Sequence, residues 1–155
     1  MDRWFRETAG QATRKGYAAV HLLIDNATDT IAGFYSLSNF TVTATDLPPA
    51  LGKSLPRTVA LPAHLIGQLG VDRRFQGQRL GNLLVLDALR RAYRLTQDAA
   101  SVAVIVHAVD AERARWYARF GFVPFPTHPL HLVLPMREIA ALSVPLPGVP
   151  TSEST

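Results

Sequence analysis

The chain has 155 residues, 48% of them apolar, which is enough for one compact domain with a core and short for two. Without a cysteine it can form no disulfide, thiolate nucleophile or cysteine-ligated metal site. A net charge of +4 favours a polyanionic partner, such as nucleic acid or the phosphates of a cofactor. The charged start Met1-Asp2-Arg3-Trp4-Phe5-Arg6-Glu7 and the lack of any long apolar run predict a cytoplasmic protein with no signal peptide or membrane span.

From Asp2 to Lys15, Trp4, Phe5, Ala9 and Ala12 fall at amphipathic spacing and predict a helix. Tyr17 to Ile24 and Thr30 to Thr43 read as two strands joined by the turn residues Asp25 to Asp29. Ala44 to Pro62 is interrupted by Pro48, Pro49 and Pro56, leaving room for a short helix over Pro49 to Leu55. The apolar run from Ala63 to Val71 is a strand, with Gly70 marking a bulge or a close backbone approach.

Leu80 to Leu95 is the clearest helix: Val85, Ala88, Leu89, Ala92 and Leu95 share one face, Asp87, Arg90, Arg91 and Arg94 another, and Asp87 pairs with Arg91 at i,i+4. The β-branched run Ser101 to Ala108 has the composition of a central strand covered on both faces. A helix over Ala111 to Phe120 ends at Gly121, and Phe122 to Phe125 and His131 to Met136 are the last strand candidates. The order is that of a mixed α/β chain with a central βαβ unit, set as one domain over 1–142; the Pro- and Ser/Thr-rich stretch 143–155 reads as a mobile tail.

A strand followed by a helix presents free N–H groups and a positive dipole end to anions. Between them lies Arg73-Arg74-Phe75-Gln76-Gly77-Gln78-Arg79-Leu80-Gly81, which combines glycines for close backbone approach with arginines for charge. On these residues alone an ordinary basic loop competes with a phosphate turn. This stretch contains no Gly-Lys-Ser/Thr, which excludes a Walker A loop there.

This stretch resembles motif A of the GNAT N-acetyltransferase superfamily, Gln/Arg-x-x-Gly-x-Gly/Ala, with Arg74, Gly77 and Arg79 as anchors. Arg115-Trp116-Tyr117-Ala118-Arg119-Phe120-Gly121-Phe122 is similar to the family's motif B. Met1 to Phe5, Ile31 to Ser38, Leu47-Pro48, Leu55-Pro56-Arg57 and Ala88 to Arg91 further resemble the GNAT toxins of type II toxin–antitoxin systems. The resemblance implies the acyl-CoA N-acyltransferase fold, a mixed central sheet flanked by helices. Members usually carry a further strand before this start, so the expectation includes a fold lacking its first strand. It also implies acetyl-CoA as cosubstrate, acetylation of the α-amino group of an aminoacyl-tRNA with arrest of translation, a ribbon-helix-helix antitoxin and a homodimer. A small-molecule or protein N-acetyltransferase, and a non-catalytic acyl-CoA- or antitoxin-binding module, stand as alternatives.

By the same resemblance, Tyr117 is the general acid toward the departing thiolate, against a reading as core aromatic. The backbones of Leu69, Gly70 and Val71 flank the pantetheine, and the segment Gln76, Gly77, Gln78, Arg79, Leu80 and Gly81 holds the pyrophosphate. Arg73 and Arg74 are phosphate contacts or solvated, and Asp110 is a pantetheine neighbour or the cap of the following helix. For tRNA the candidates are Arg90, Arg91 and Arg94, against a solvated face, with Arg3, Arg6, Arg14 and Lys15 behind them. Glu7, Asp46 and His64 are open candidates for a general base. His21, His64, His107, His128 and His131 show no metal spacing. Arg79 stands where the motif has Gly or Ala, so a positive φ there would carry a cost.

Overall fold

The computed structural model describes residues 3–142, so the expected mobile tail lies outside the described residues. The single expected first helix is two, α1 (Arg3–Glu7) and α2 (Ala9–Lys15), broken where Thr8 adopts φ −121°. Trp4 and Phe5 of α1 pack on Phe34, at ring separations of 6.1 and 4.7 Å, which sets α1 on the sheet at its own angle. Gly16, at φ 77°, closes α2: its amide and that of Tyr17 donate to the carbonyls of Thr13 and Ala12.

The hairpin of β1 (Ala19–Asp25) and β2 (Thr30–Val42) turns through Asp29 at φ 53°. The short helix α3 (Pro49–Gly52) starts on a proline, whose missing N–H costs nothing there. Then come β3 (Leu61–Val71), a 3-10 turn (Arg73–Phe75), α4 (Leu80–Thr96), β4 (Ala103–His107), α5 (Ala111–Ala118), β5 (Val123–Phe125), β6 (His128–Pro135) and α6 (Met136–Ala141). The last of these corrects the expectation of a strand through Met136. Pro135 ends the ladder, and Met136 and Ile139, three residues apart, bury one helical face.

The sheet order is β1-β2-β3-β4-β6-β5, antiparallel except for the parallel β3–β4 pair. No strand precedes α1 among the described residues, so β1 forms that edge. On one face Leu84, Val85, Ala88, Leu89 and Ala92 of α4 pack against Tyr35, Leu37, Ile66, Val104 and Val106. On the other, Ala63, Ala103, Ile105 and Val133 lie beneath Leu47, Leu51 and Leu55. β4 therefore alternates its side chains between two cores, as its unbroken apolar sequence predicts. No described helix is long and apolar enough to cross a membrane.

Candidate active site

The site begins as a split between two parallel strands. β3 and β4 pair only at His64–Val104, Leu65–Ile105 and Ile66–Val106, after which β3 continues unpaired on that side to Val71. A bulge on β3 causes the divergence: the register against β2 runs from Leu37–Ile66 to Tyr35–Leu69, setting Gly67 and Gln68 opposite Ser36 alone. The buried Ser36 hydroxyl accepts from the Gln68 amide at 2.9 Å. A Cβ on Gly67 would stand 2.9 Å from that same oxygen, so glycine is what fits the bulge. Gly70, for which bulge and close approach were both open, is the close approach: a Cβ there would meet Phe34 Cε1 at 2.7 Å.

Beyond Val71 the chain turns through Asp72, whose carboxylate accepts from the backbone amide of Arg74 at 2.9 Å and from its Nε at 3.0 Å. The Arg74 hydrogen bonds hold the Asp72 carboxyl below its ordinary range. Gly77 adopts φ 86° with open space where a Cβ would be, and Arg79, cap of α4, adopts the left-handed φ 59°, ψ 27°. The first α4 hydrogen bond runs from the Leu83 amide to the Arg79 carbonyl, which leaves the amides of Leu80, Gly81 and Asn82 without helical partners.

These groups surround a cavity of about 310 Å³ lined by Leu69, Gly70, Val71, Gln76, Gly77, Arg79, Leu80 and Gly81, together with Phe75 and Arg113. Eight expected cofactor residues thus share one cavity. Arg73, Arg74, Gln78 and Asp110 lie outside its lining: Arg74 is turned back onto Asp72 with its side chain 65% exposed, and Asp110 caps α5 by accepting from the Arg113 amide at 2.8 Å. Phe75 and Arg113 went unread in the sequence. Arg113 lies four residues before Tyr117, a spacing that places both on one side of α5 and could have found it. The cavity suits a diphosphate, since it has glycine-lined walls, a helix N-terminus, Arg113 and no carboxylate in its lining. Gly81 brings α4 close to α5: a Cβ there would be 3.2 Å from the Trp116 ring, over which Arg113 sits at 5.0 Å.

Tyr117 is 6% exposed, edge-on to Trp116 at 4.9 Å and to Phe122 at 5.7 Å. Burial pushes its phenol up to about 12, slightly offset by Arg113, so it holds its proton at neutral pH and can donate it. The other expected residues disperse. Arg91 donates to the Tyr35 hydroxyl and pairs with Asp87, as its spacing predicted, whereas Arg94 is exposed and the Nε of Arg90 is buried without a partner. Glu7 pairs with Arg3 at 3.0 Å, Asp46 accepts from Thr43 at 2.8 Å, and His64 lines a separate groove between α2 and α4. Among the described residues no cluster of His, Cys, Asp or Glu could hold a metal ion.

A probable toxin TacT of Sinorhizobium fredii (strain NBRC 101917 / NGR234) is 27% identical over 150 residues, spanning 92% of this chain and 82% of the relative. A tRNA-acetylating toxin of Mycobacterium tuberculosis (strain ATCC 25618 / H37Rv) is 37% identical over 112 residues, spanning 72% and 66%. Solved structures of the toxin AtaT share the fold. Its complex with acetyl-methionyl-tRNAfMet superposes with a TM-score of 0.82 at 22% identity, covering 91% of this chain and 84% of that one. Its complex with the C-terminus of the antitoxin AtaR and acetyl-CoA gives 0.75 at 19%, covering 90% and 81%. The Acetyltransferase (GNAT) family profile matches residues 2–122, and the chain belongs to that family as an acetyl-CoA-dependent acetyltransferase.

Proposed function

We propose that this acetyltransferase acetylates the α-amino group of an aminoacyl-tRNA and acts as the toxin of a toxin–antitoxin pair, with a ribbon-helix-helix antitoxin as partner and a homodimer as its working form. The observation that carries this is similarity to a tRNA-acetylating toxin at 37% identity over 112 residues. Acetyl-CoA, when bound, supplies the activated acetyl thioester.

The chain's own residues then have distinct tasks. The free amides of Leu80 and Gly81, with the backbone of Arg79 and the guanidinium of Arg113, bind the diphosphate, and the unpaired edge of β3 over Leu69, Gly70 and Val71 orients the arm and offers amides to the thioester carbonyl oxygen. The Tyr117 hydroxyl donates a proton to the departing thiolate. Arg73 and Gln78 flank the turn from outside, while Arg74 and Asp110 hold its shape and the start of α5. An α-amino group on an ester loses its proton more readily than lysine does, which lightens the demand for a general base.

Incubation of the protein with labelled acetyl-CoA and a mixed aminoacyl-tRNA pool tests this. Label should appear on the aminoacyl group and translation in an extract should stop. Label on polyamines or proteins instead, with translation untouched, would overturn it.

A further inference from the structure

A second, larger hollow of about 800 Å³ lies between α2, α4 and the strands β1 to β3. It opens against the C-terminal half of α4, on the order of 20 Å along the helix axis from the phosphate turn at its start. One wall carries Arg91 and Arg94, another Tyr17, and the floor carries His21, Asn39 and His64.

Each group has an unspent capacity. The Tyr17 ring is 54% exposed, a flat face with nothing to bury it in this fold. Arg94 is exposed and joins no ion pair among the described residues, and no carboxylate lines the groove. His64 is 8% exposed, yet its Nε2 has no hydrogen-bond partner among the described residues, an arrangement that buried polar atoms rarely adopt. Arg91 is held in place by Tyr35 and Asp87, so its guanidinium is positioned before any ligand arrives. A flat stacking face, a fixed cation beside a free one, and hydrogen-bonding groups at the base match the three parts of a nucleotide.

We infer that the groove between α2 and α4 is a nucleotide-binding site, separate from the acetyl-CoA cavity, that holds one nucleotide of an RNA strand. The inference rests on the aminoacyl-tRNA reading for the source of that strand and places an anchoring contact at the far end of α4. Tyr17 stacks on the base, Arg94 and Arg91 meet the flanking phosphate, and Asn39 and His64 face the polar edge.

The test is binding, which needs no catalysis. Fluorescence anisotropy with uncharged tRNA would be read for wild type, Tyr17→Ala and Arg94→Glu, both at exposed positions, with acetyl-CoA affinity and melting temperature as controls of folding. Tenfold or greater weakening of tRNA binding in each, with acetyl-CoA affinity within about twofold, is expected. Arg94→Ala should also lower the salt slope by about one unit, and Tyr17→Ala should leave it unchanged. Adenosine monophosphate competing with tRNA at the groove would show that a free nucleotide is enough. Wild-type tRNA affinity in both variants overturns the inference. If no aminoacyl-tRNA is acetylated while both variants still lose RNA binding, the substrate reading fails and the site stands.

Discussion

Tyr35 on β2 and Asp87 on α4, 52 positions apart, are joined by a hydrogen bond of 2.5 Å in which the buried phenol donates to the carboxylate. Arg91 closes the group by donating from Nε to the same phenol oxygen at 3.0 Å. Burial and the bond to Asp87 push the Tyr35 phenol far above its ordinary range, so it remains a donor at neutral pH.

Tyr35→Phe keeps the ring and removes both bonds, leaving Arg91 and Asp87 to pair at 3.6 Å. A loss of about 1–2 kcal/mol in stability is expected, or roughly 2–8 °C in melting temperature. Chemical denaturation checks it, and an unchanged midpoint would show that the network carries no net stability.

Arg79 has the conformation in which its side chain is a burden. At φ 59° a residue with a Cβ is disfavoured by about 1 kcal/mol relative to glycine. Arg79→Gly should raise stability by about that amount and leave acetyl-CoA affinity equal or better, because glycine keeps the backbone N–H at this position. Isothermal titration decides it. A loss of more than about fivefold would mean that the guanidinium itself grips a phosphate.

Much of this arrangement was written in the sequence, and the exceptions have physical causes. The strand runs and the face of α4 follow from apolar periodicity, and the motif A stretch marks the turn where five of its residues meet Leu69, Gly70 and Val71 of β3. Long-range geometry was hidden. The bulge at Gly67–Gln68 depends on Ser36, some thirty residues away, and nothing local distinguishes Gly67 from Gly70. The break at Thr8 arises from α1 packing its aromatics on Phe34 of β2. The spacing of Arg113 to Tyr117 sets both on one side of α5, but that this side meets the phosphate turn follows only from tertiary contact.

Acid should destabilise the fold in a defined window. His107 and His131 are paired across β4 and β6 with rings 3.9 Å apart, and burial followed by neighbouring imidazoles lowers the pKa of both; burial also lowers those of His64 and His21. A histidine depressed in the native state binds fewer protons there than when unfolded. Its contribution is full above the unfolded value of 6.5 and is lost as pH falls through the folded values beneath it. The melting temperature should therefore be level from pH 8 to 7 and decline as pH falls below about 6.5. Asp72, lowered from 3.8, acts only in more acid solution. His131→Phe should flatten the decline; an equally steep curve would remove this pair as its origin.

Tyr117→Phe isolates the hydroxyl, because the ring's contacts with Trp116 and Phe122 are retained. A general acid contributes about 10²–10⁴ in rate, so kcat should fall at least a hundredfold while acetyl-CoA affinity and melting temperature stay near wild type. With the phenol up to about 12, wild-type kcat should show no loss of the acid form below pH 9. The two measurements separate the two roles of the residue. A phenylalanine variant with wild-type kcat makes Tyr117 a packing residue, whereas a variant that loses both kcat and stability reports a structural hydroxyl. Only a kcat defect with intact folding and binding assigns the proton to Tyr117.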